Sequence, residues 1–122
     1  MKLENIKFKA KRLDDCEWIE GDLVHTDTGA VIMEIDNDTY DVIDPSTVCQ
    51  FTGLKDCEGN EVWEGDVLDG EFECEIVFTK GTFATRFINY SGNVVINPLY
   101  YFERKDGMLD CKVIGNKFDK EK

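Results

Sequence analysis

Gln50-Phe51-Thr52-Gly53-Leu54-Lys55-Asp56-Cys57-Glu58-Gly59-Asn60-Glu61-Val62-Trp63-Glu64-Gly65-Asp66-Val67-Leu68 is a run punctuated by glycine and aspartate. Thr52-Gly53, flanked by Phe51 and Leu54, reads as a turn. Asp56 to Asn60 reads as a second turn, because Gly59-Asn60 takes positive φ at low cost. Glu61-Val62-Trp63 is a short extended piece. Gly65-Asp66 then reverses or offsets the chain before Val67-Leu68 begins a strand, with Asp66 bonding nearby backbone amides. A competing reading makes Glu64 and Asp66 a carboxylate pair that holds a metal or works as acid and base. Turn chemistry is preferred, since Gly-Asp before a strand is routine.

Downstream, Glu71-Phe72-Glu73-Cys74-Glu75-Ile76-Val77-Phe78 alternates with a period of two. Phe72, Cys74, Ile76 and Phe78 share one face and the glutamates face water. Lys80-Gly81 turns the chain into Thr82–Ile88. A two-residue loop sets Phe78 opposite Phe83, Cys74 opposite Phe87 and Glu75 opposite Arg86. Ser91-Gly92-Asn93 turns into Val94-Val95-Ile96. Asn97-Pro98 suits a helix start, Asn as cap and Pro at the first position. Leu99 to Arg104 is open between a short aromatic helix and an extended segment. Tyr100, Tyr101 and Phe102 read as core and rim, against a base-stacking platform. Leu109 to Ile114 is the last strand, Gly115-Asn116 bends it, Phe118 packs back and 119–122 frays.

Upstream, 1–4 is loose and Ile6 to Ala10 alternates as a strand with Ile6, Phe8 and Ala10 inward. Asp14-Asp15 turns, and Glu17 to Glu20 is extended. Trp18 before Glu20-Gly21-Asp22-Leu23 echoes Trp63 before Glu64-Gly65-Asp66-Val67, as one local device used twice. Residues 30–43 form a hairpin around Asp36-Asn37-Asp38. That acidic turn fails the calcium-loop template, which wants a ligand and then Gly where Tyr40 and Asp41 stand. Asp44 caps one helical turn opened by Pro45.

The 122 residues fit one domain able to fold without metal or disulfide. The net charge of −12 opposes general nucleic-acid binding, which relies on Lys and Arg replacing counterions. Bases cluster at Lys7, Lys9, Lys11 and Arg12 and at Lys112, Lys117, Lys120 and Lys122. If the two ends pair, they make a local basic strip. The acidity fits solubility first, then a basic partner or a DNA mimic. The charged N-terminus lacks an apolar signal core, and no apolar run approaches a membrane span, so a cytoplasm is expected. Cys16, Cys49, Cys57, Cys74 and Cys111 are odd in number without any Cys-x-x-Cys, which argues for reduced thiols rather than a zinc site. Nothing near them marks a nucleophile partnered by His25.

The central run, with Ile6-Lys7-Phe8 through Lys11-Arg12, Trp18 to Leu23, Thr47 to Asp56, and Val113-Ile114-Gly115-Asn116, resembles the YopX family of small phage and prophage proteins. The chain departs from the family pattern at Cys49, where glycine is usual, at Cys57, where a polar residue is usual, and at Lys9-Ala10, where Arg-Gly is more typical. The resemblance implies a mainly β (β-rich α+β) fold, with one or two short helical segments. It divides the domain into an N-terminal β subdomain (1–49) and an SH3-like small barrel (50–118). The residues carrying the signature, structural or for interaction, are Gln50, Thr52, Gly53, Leu54, Asp56, Gly59, Glu64, Gly65, Asp66, Gly115 and Asn116. No catalytic set, cofactor or metal comes with the resemblance. The function expected is a phage-derived accessory protein without enzymatic activity that binds a host or phage protein, with a homo-oligomer open. The alternatives are a nucleic-acid-processing accessory or acidic DNA mimic, and a metal-dependent enzyme using Glu64 and Asp66.

Overall fold

The computed structural model describes residues 2–34 and 39–119. The acidic turn Asp36-Asn37-Asp38, with its calcium reading, lies outside the described residues, as do Lys120 and Lys122 of the C-terminal basic cluster. The chain divides into two compact units, Met1–Phe51 and Thr52–Glu121. The fold is mainly β and antiparallel, and its described helical pieces are 3-10 turns of three or four residues.

The first unit contains β1 (Phe8–Lys11), β2 (Trp18–Thr26), β3 (Gly29–Glu34), β4 (Thr39–Val42) and the start of β5 (Cys49–Lys55). Neighbours run β4-β3-β2-β1-β5. Ala10, Ile19, Ile32 and Ile43 form its core, with Phe8 and Leu23 against them. Ile6 is excluded: it closes a 3-10 turn over Leu3–Asn5 and is exposed, not inward on a strand. Asp44 accepts from Ser46 N at 3.0 Å, starting the turn at Pro45 as the sequence indicates. The tryptophan–Gly-Asp echo does not hold. Gly21 sits inside the continuous β2, where a Cβ would lie 2.0 Å from Met33 O. It is there for close approach of two strands, whereas Gly65 turns the chain at φ 87°.

The second unit continues β5 and adds β6 (Glu61–Trp63), which pairs with it. It then builds β7 (Asp66–Leu68), β8 (Cys74–Thr79), β9 (Thr82–Ile88), β10 (Val94–Pro98) and β11 (Val113–Asn116). These five form one sheet in the order β10-β9-β8-β7-β11. Val62, Leu68, Ile76, Leu99 and Leu109 are its core, and burying such a side chain contributes about 1.5–3 kcal/mol. The β8–β9 register pairs Phe78 with Phe83 and Glu75 with Arg86, as the alternation requires. Phe78 itself is half exposed, because it lies at the turn end of the hairpin.

The SH3-like barrel is corrected to an open sheet. Closure needs the two outer strands to pair. Here β10 ends in Pro98, which has no N–H to donate, and β11 is interrupted by a register shift between Val113 and Gly115. Three local readings also change. Thr52-Gly53 is not a turn: β5 runs straight through it, with Gly53 carried at φ 84° as in a bulge. Asn97 does not cap a helix. It pairs with Thr85 in β10, and the following 3-10 turn Leu99–Phe102 has no side-chain cap. The last strand starts at Val113 rather than Leu109, whose N–H is taken by Lys55 O.

Candidate functional site

Asp56, Glu64, Gly65 and Asp66 reach the last strand and its end, where Gly115 and Asn116 stand. Asp56 is fully buried. Its Oδ1 accepts from Glu58 N at 3.0 Å and Asn60 N at 2.8 Å. Its Oδ2 accepts from Asn60 Nδ2 at 3.2 Å and, across the fold, from Val113 N at 2.9 Å. Burial alone would raise this carboxyl's pKa. The bonds from Val113, Asn60 and Glu58 outweigh it and hold the group below the usual carboxylate range. Gly59, at φ 86°, closes the loop by donating to Asp56 O.

Asp66 repeats this device one strand later. It is 3% exposed. Its Oδ2 accepts from Trp63 N at 2.7 Å, and its Oδ1 from Asn116 Nδ2 at 2.9 Å. Asn116 Nδ2 also reaches Glu64 O at 3.3 Å, and its Oδ1 accepts from Phe118 N. Lys117 N donates to Gly65 O, while Gly65 N donates to Ile76 O. The Glu64-Gly65-Asp66 corner and the Gly115-Asn116 corner are therefore one interlocked unit. Thr52 fastens the other side: its Oγ1 donates to Val62 O at 2.7 Å and accepts from Leu54 N. Leu54 packs on the core. Gln50 stands apart, opposite Phe8 in the first unit.

Both oxygens of Asp66 already accept protein hydrogen bonds. Among the described residues, no group of three or more His, Cys, Asp or Glu could hold a metal ion. The five cysteines are free. Burial pushes the thiols of Cys74 and Cys111 up, away from the reactive thiolate. His25 is exposed on β2.

Five basic residues are engaged as well. Lys7 Nζ lies 3.8 Å from Glu20 and over the Phe51 ring. Lys9 and Lys11 both lie over Trp18. Glu75 binds Arg86 at 2.9 Å and Lys117 at 3.1 Å. These two cations hold it below the usual carboxylate range against the opposing effect of burial.

A surface feature went unread in the sequence. Val67, Phe72, Glu73, Glu75, Arg86, Phe87, Ile88 and Val94 line an open groove of about 570 Å³. Phe72 stacks on Phe87, with ring centroids 4.8 Å apart, and Tyr90 tilts against Phe72. Val94 pairs with Ile88 and Ile96 with Arg86, so Ile88, Val94 and Ile96 share one side of the sheet. They are 63%, 60% and 51% exposed. The available signal was the uncharged run Val94-Val95-Ile96, which has no polar residue to mark a wet face.

Tyr100 and Tyr101 are exposed and Phe102 packs on the core, so this trio does divide between rim and core. No helix of the described residues is long and apolar enough to cross a membrane. A family model described as YopX protein matches residues 3–121. No curated protein matches the chain.

Proposed function

The chain belongs to the YopX family, and we propose that it is a phage-associated accessory protein that works by binding another protein, without enzymatic activity. The groove between Phe72 and Val94 carries this reading. Solvent-facing aliphatic surface on one side of a sheet, Ile88, Val94 and Ile96, supports an interaction site. The signature aspartates Asp56 and Asp66, by contrast, hold the last strand.

The groove also indicates the kind of partner. Glu73 and Glu75 line it, Glu75 bound by Arg86 and Lys117, in a chain of net charge −12. A basic protein surface with aliphatic side chains complements both features. The bacterial cytoplasm is the proposed setting. The same acidity, with Lys7, Lys9, Lys11 and Lys117 already engaged, ranks direct nucleic-acid binding lower.

The test is comparative capture from phage-infected host lysate on immobilised wild-type protein and on an Ile88→Glu/Val94→Glu variant. The expected result is a basic protein enriched on wild type and lost on the variant. Equal recovery on both, or nothing above background, contradicts the proposal.

A further inference from the structure

We infer that Glu34 and Asp41 share one proton across the β3–β4 hairpin, and that this proton is a latch which loosens β4 as pH rises. The latch lies in the first unit and is independent of the groove.

The register brings the two carboxyls together. Ile32 pairs with Asp41, and Glu34 with Thr39. Partners in an antiparallel ladder point to the same face, so Glu34 and Asp41 are diagonal neighbours on the side that carries the buried Ile32. Thr39 Oγ1 donates to Glu34 Oε2 at 3.4 Å, which leads the Glu34 carboxyl across to β4. Asp41 Oδ2 is buried, and no donor among the described residues reaches it. Leaving a buried acceptor without a donor is costly, and folded proteins seldom do so. The Glu34 carboxyl lies within hydrogen-bond reach of Asp41. Two ionised carboxylates are both acceptors and cannot bond each other. A proton on Glu34 turns it into the donor that satisfies the orphaned oxygen.

The surroundings do not supply the missing positive charge. Arg12 Nη1 is 3.9 Å from Asp41 Oδ1, too far for a hydrogen bond. Arg12 gives its Nε and Nη2 to Asp15, at 3.0 and 2.8 Å, and Asp14 adds a further negative charge near it. On this face β2 sets Leu23 opposite Ile32, and its His25 stands farther along, opposite Ala30. The Glu34 pKa accordingly lies above the usual carboxylate range. Its hydrogen bond with Asp41 is the largest cause, followed by burial and by the charge of Asp41, while Thr39 and Arg12 oppose them.

Below the ordinary glutamate value, Glu34 is protonated both in the hairpin and in the opened chain, and the latch is closed. As pH rises from there through the raised folded value, opening gains the free ionisation of Glu34 and the latch weakens. What it holds is β4, a strand of four residues whose Tyr40 and Val42 line an open pocket of about 540 Å³ with Leu13 and Asp14.

The experiment follows the side-chain carboxyl carbons by NMR in full-length protein, with chelator present, and compares wild type with Asp41→Asn and Glu34→Gln. Glu34 is expected to titrate above the ordinary glutamate range in wild type, and to fall back to it or below in Asp41→Asn. Amide exchange in β4, corrected for its intrinsic pH dependence, is expected to lose protection in wild type by about tenfold for each pH unit between those two titration points. Glu34→Gln donates to Asp41 at every pH, so its β4 protection should stay level. Asp36 and Asp38 lie between the two strands in sequence, and an Asp36→Asn/Asp38→Asn variant should leave Glu34 raised.

An ordinary titration of Glu34 in wild type overturns the shared proton. So does a raised titration that persists in Asp41→Asn, which traces it to burial, or one lost in Asp36→Asn/Asp38→Asn, which traces it to those acids. Level β4 protection in wild type overturns the latch. A saturable shift of the Glu34 and Asp41 signals when calcium replaces the chelator puts a cation where the proton is placed, and overturns the inference as well.

Discussion

Asp66 Oδ1 accepts a hydrogen bond from Asn116 Nδ2 at 2.9 Å, across a separation of fifty residues. Both side chains are buried, and each holds a further backbone amide, Trp63 N for Asp66 and Phe118 N for Asn116. A carboxylate in this position organises a corner and ties the last strand to it. With Asp56 reaching Val113 N, two signature aspartates hold the start and the end of β11. Their hydrogen bonds support the last strand at both ends.

Asp56 makes stability depend on pH in a defined direction. Its folded pKa is depressed, so its contribution is present above the ordinary carboxylate value of about 4 and is lost as pH falls through the folded value. Asp56→Asn is expected to destabilise the protein at neutral pH, because an amide nitrogen cannot accept from Val113 N or from the Asn60 amide. It should also flatten the loss of stability below about pH 4. Urea melts of both proteins across the acid range measure this, and parallel pH profiles would refute it.

Two glycines should fail for different reasons. Gly65→Ala places a Cβ on a residue at φ 87° and is expected to cost at least about 1–2 kcal/mol through backbone strain. Gly21→Ala has to push the Met33 carbonyl away from a Cβ built 2.0 Å from it, so it should cost more, about 2–4 kcal/mol. Denaturant midpoints rank them, and a mild effect at Gly21 would mean that β2 and β3 separate easily.

The Glu75 cluster should matter little. Arg86 and Lys117 are about half exposed, so Arg86→Ala and Lys117→Ala are each expected to cost about 0.2–1 kcal/mol, less at high salt. Melts in low and high salt check this.

Chelator should leave the melting temperature unchanged, since the Asp66 oxygens accept from protein donors. A fall of several degrees on chelation, restored by one divalent ion, would return Glu64 and Asp66 to the metal reading.

The β8–β9 hairpin was legible because period-two alternation and a two-residue loop leave one register that puts Ile76 in the core and joins Glu75 to Arg86. Thr52-Gly53 misled because glycine and threonine read as a turn. Here Gly53 takes positive φ inside a strand, and the Thr52 hydroxyl spans to Val62. The late start of β11 was hidden because Leu109 is claimed by Lys55, a partner far off in sequence. Open sheet and barrel share the same local alternation and differ only in whether β10 and β11 meet. For the candidate site, the residues were named but not their convergence. No local pattern announces that Asp66 and Asn116 touch. The groove was passed over because a short uncharged strand such as Val94-Val95-Ile96 looks the same whether its faces are buried or wet.

The most direct measurement is a double-mutant cycle on Asp66→Ala and Asn116→Ala, read by equilibrium unfolding. Each single variant should lose about 1–3 kcal/mol, since each strands a buried polar partner. The pair should be non-additive by about 1 kcal/mol or more, because the second removal takes away a group already orphaned. Additive losses, or single variants as stable as wild type, would contradict the assignment of the signature aspartates to holding the last strand.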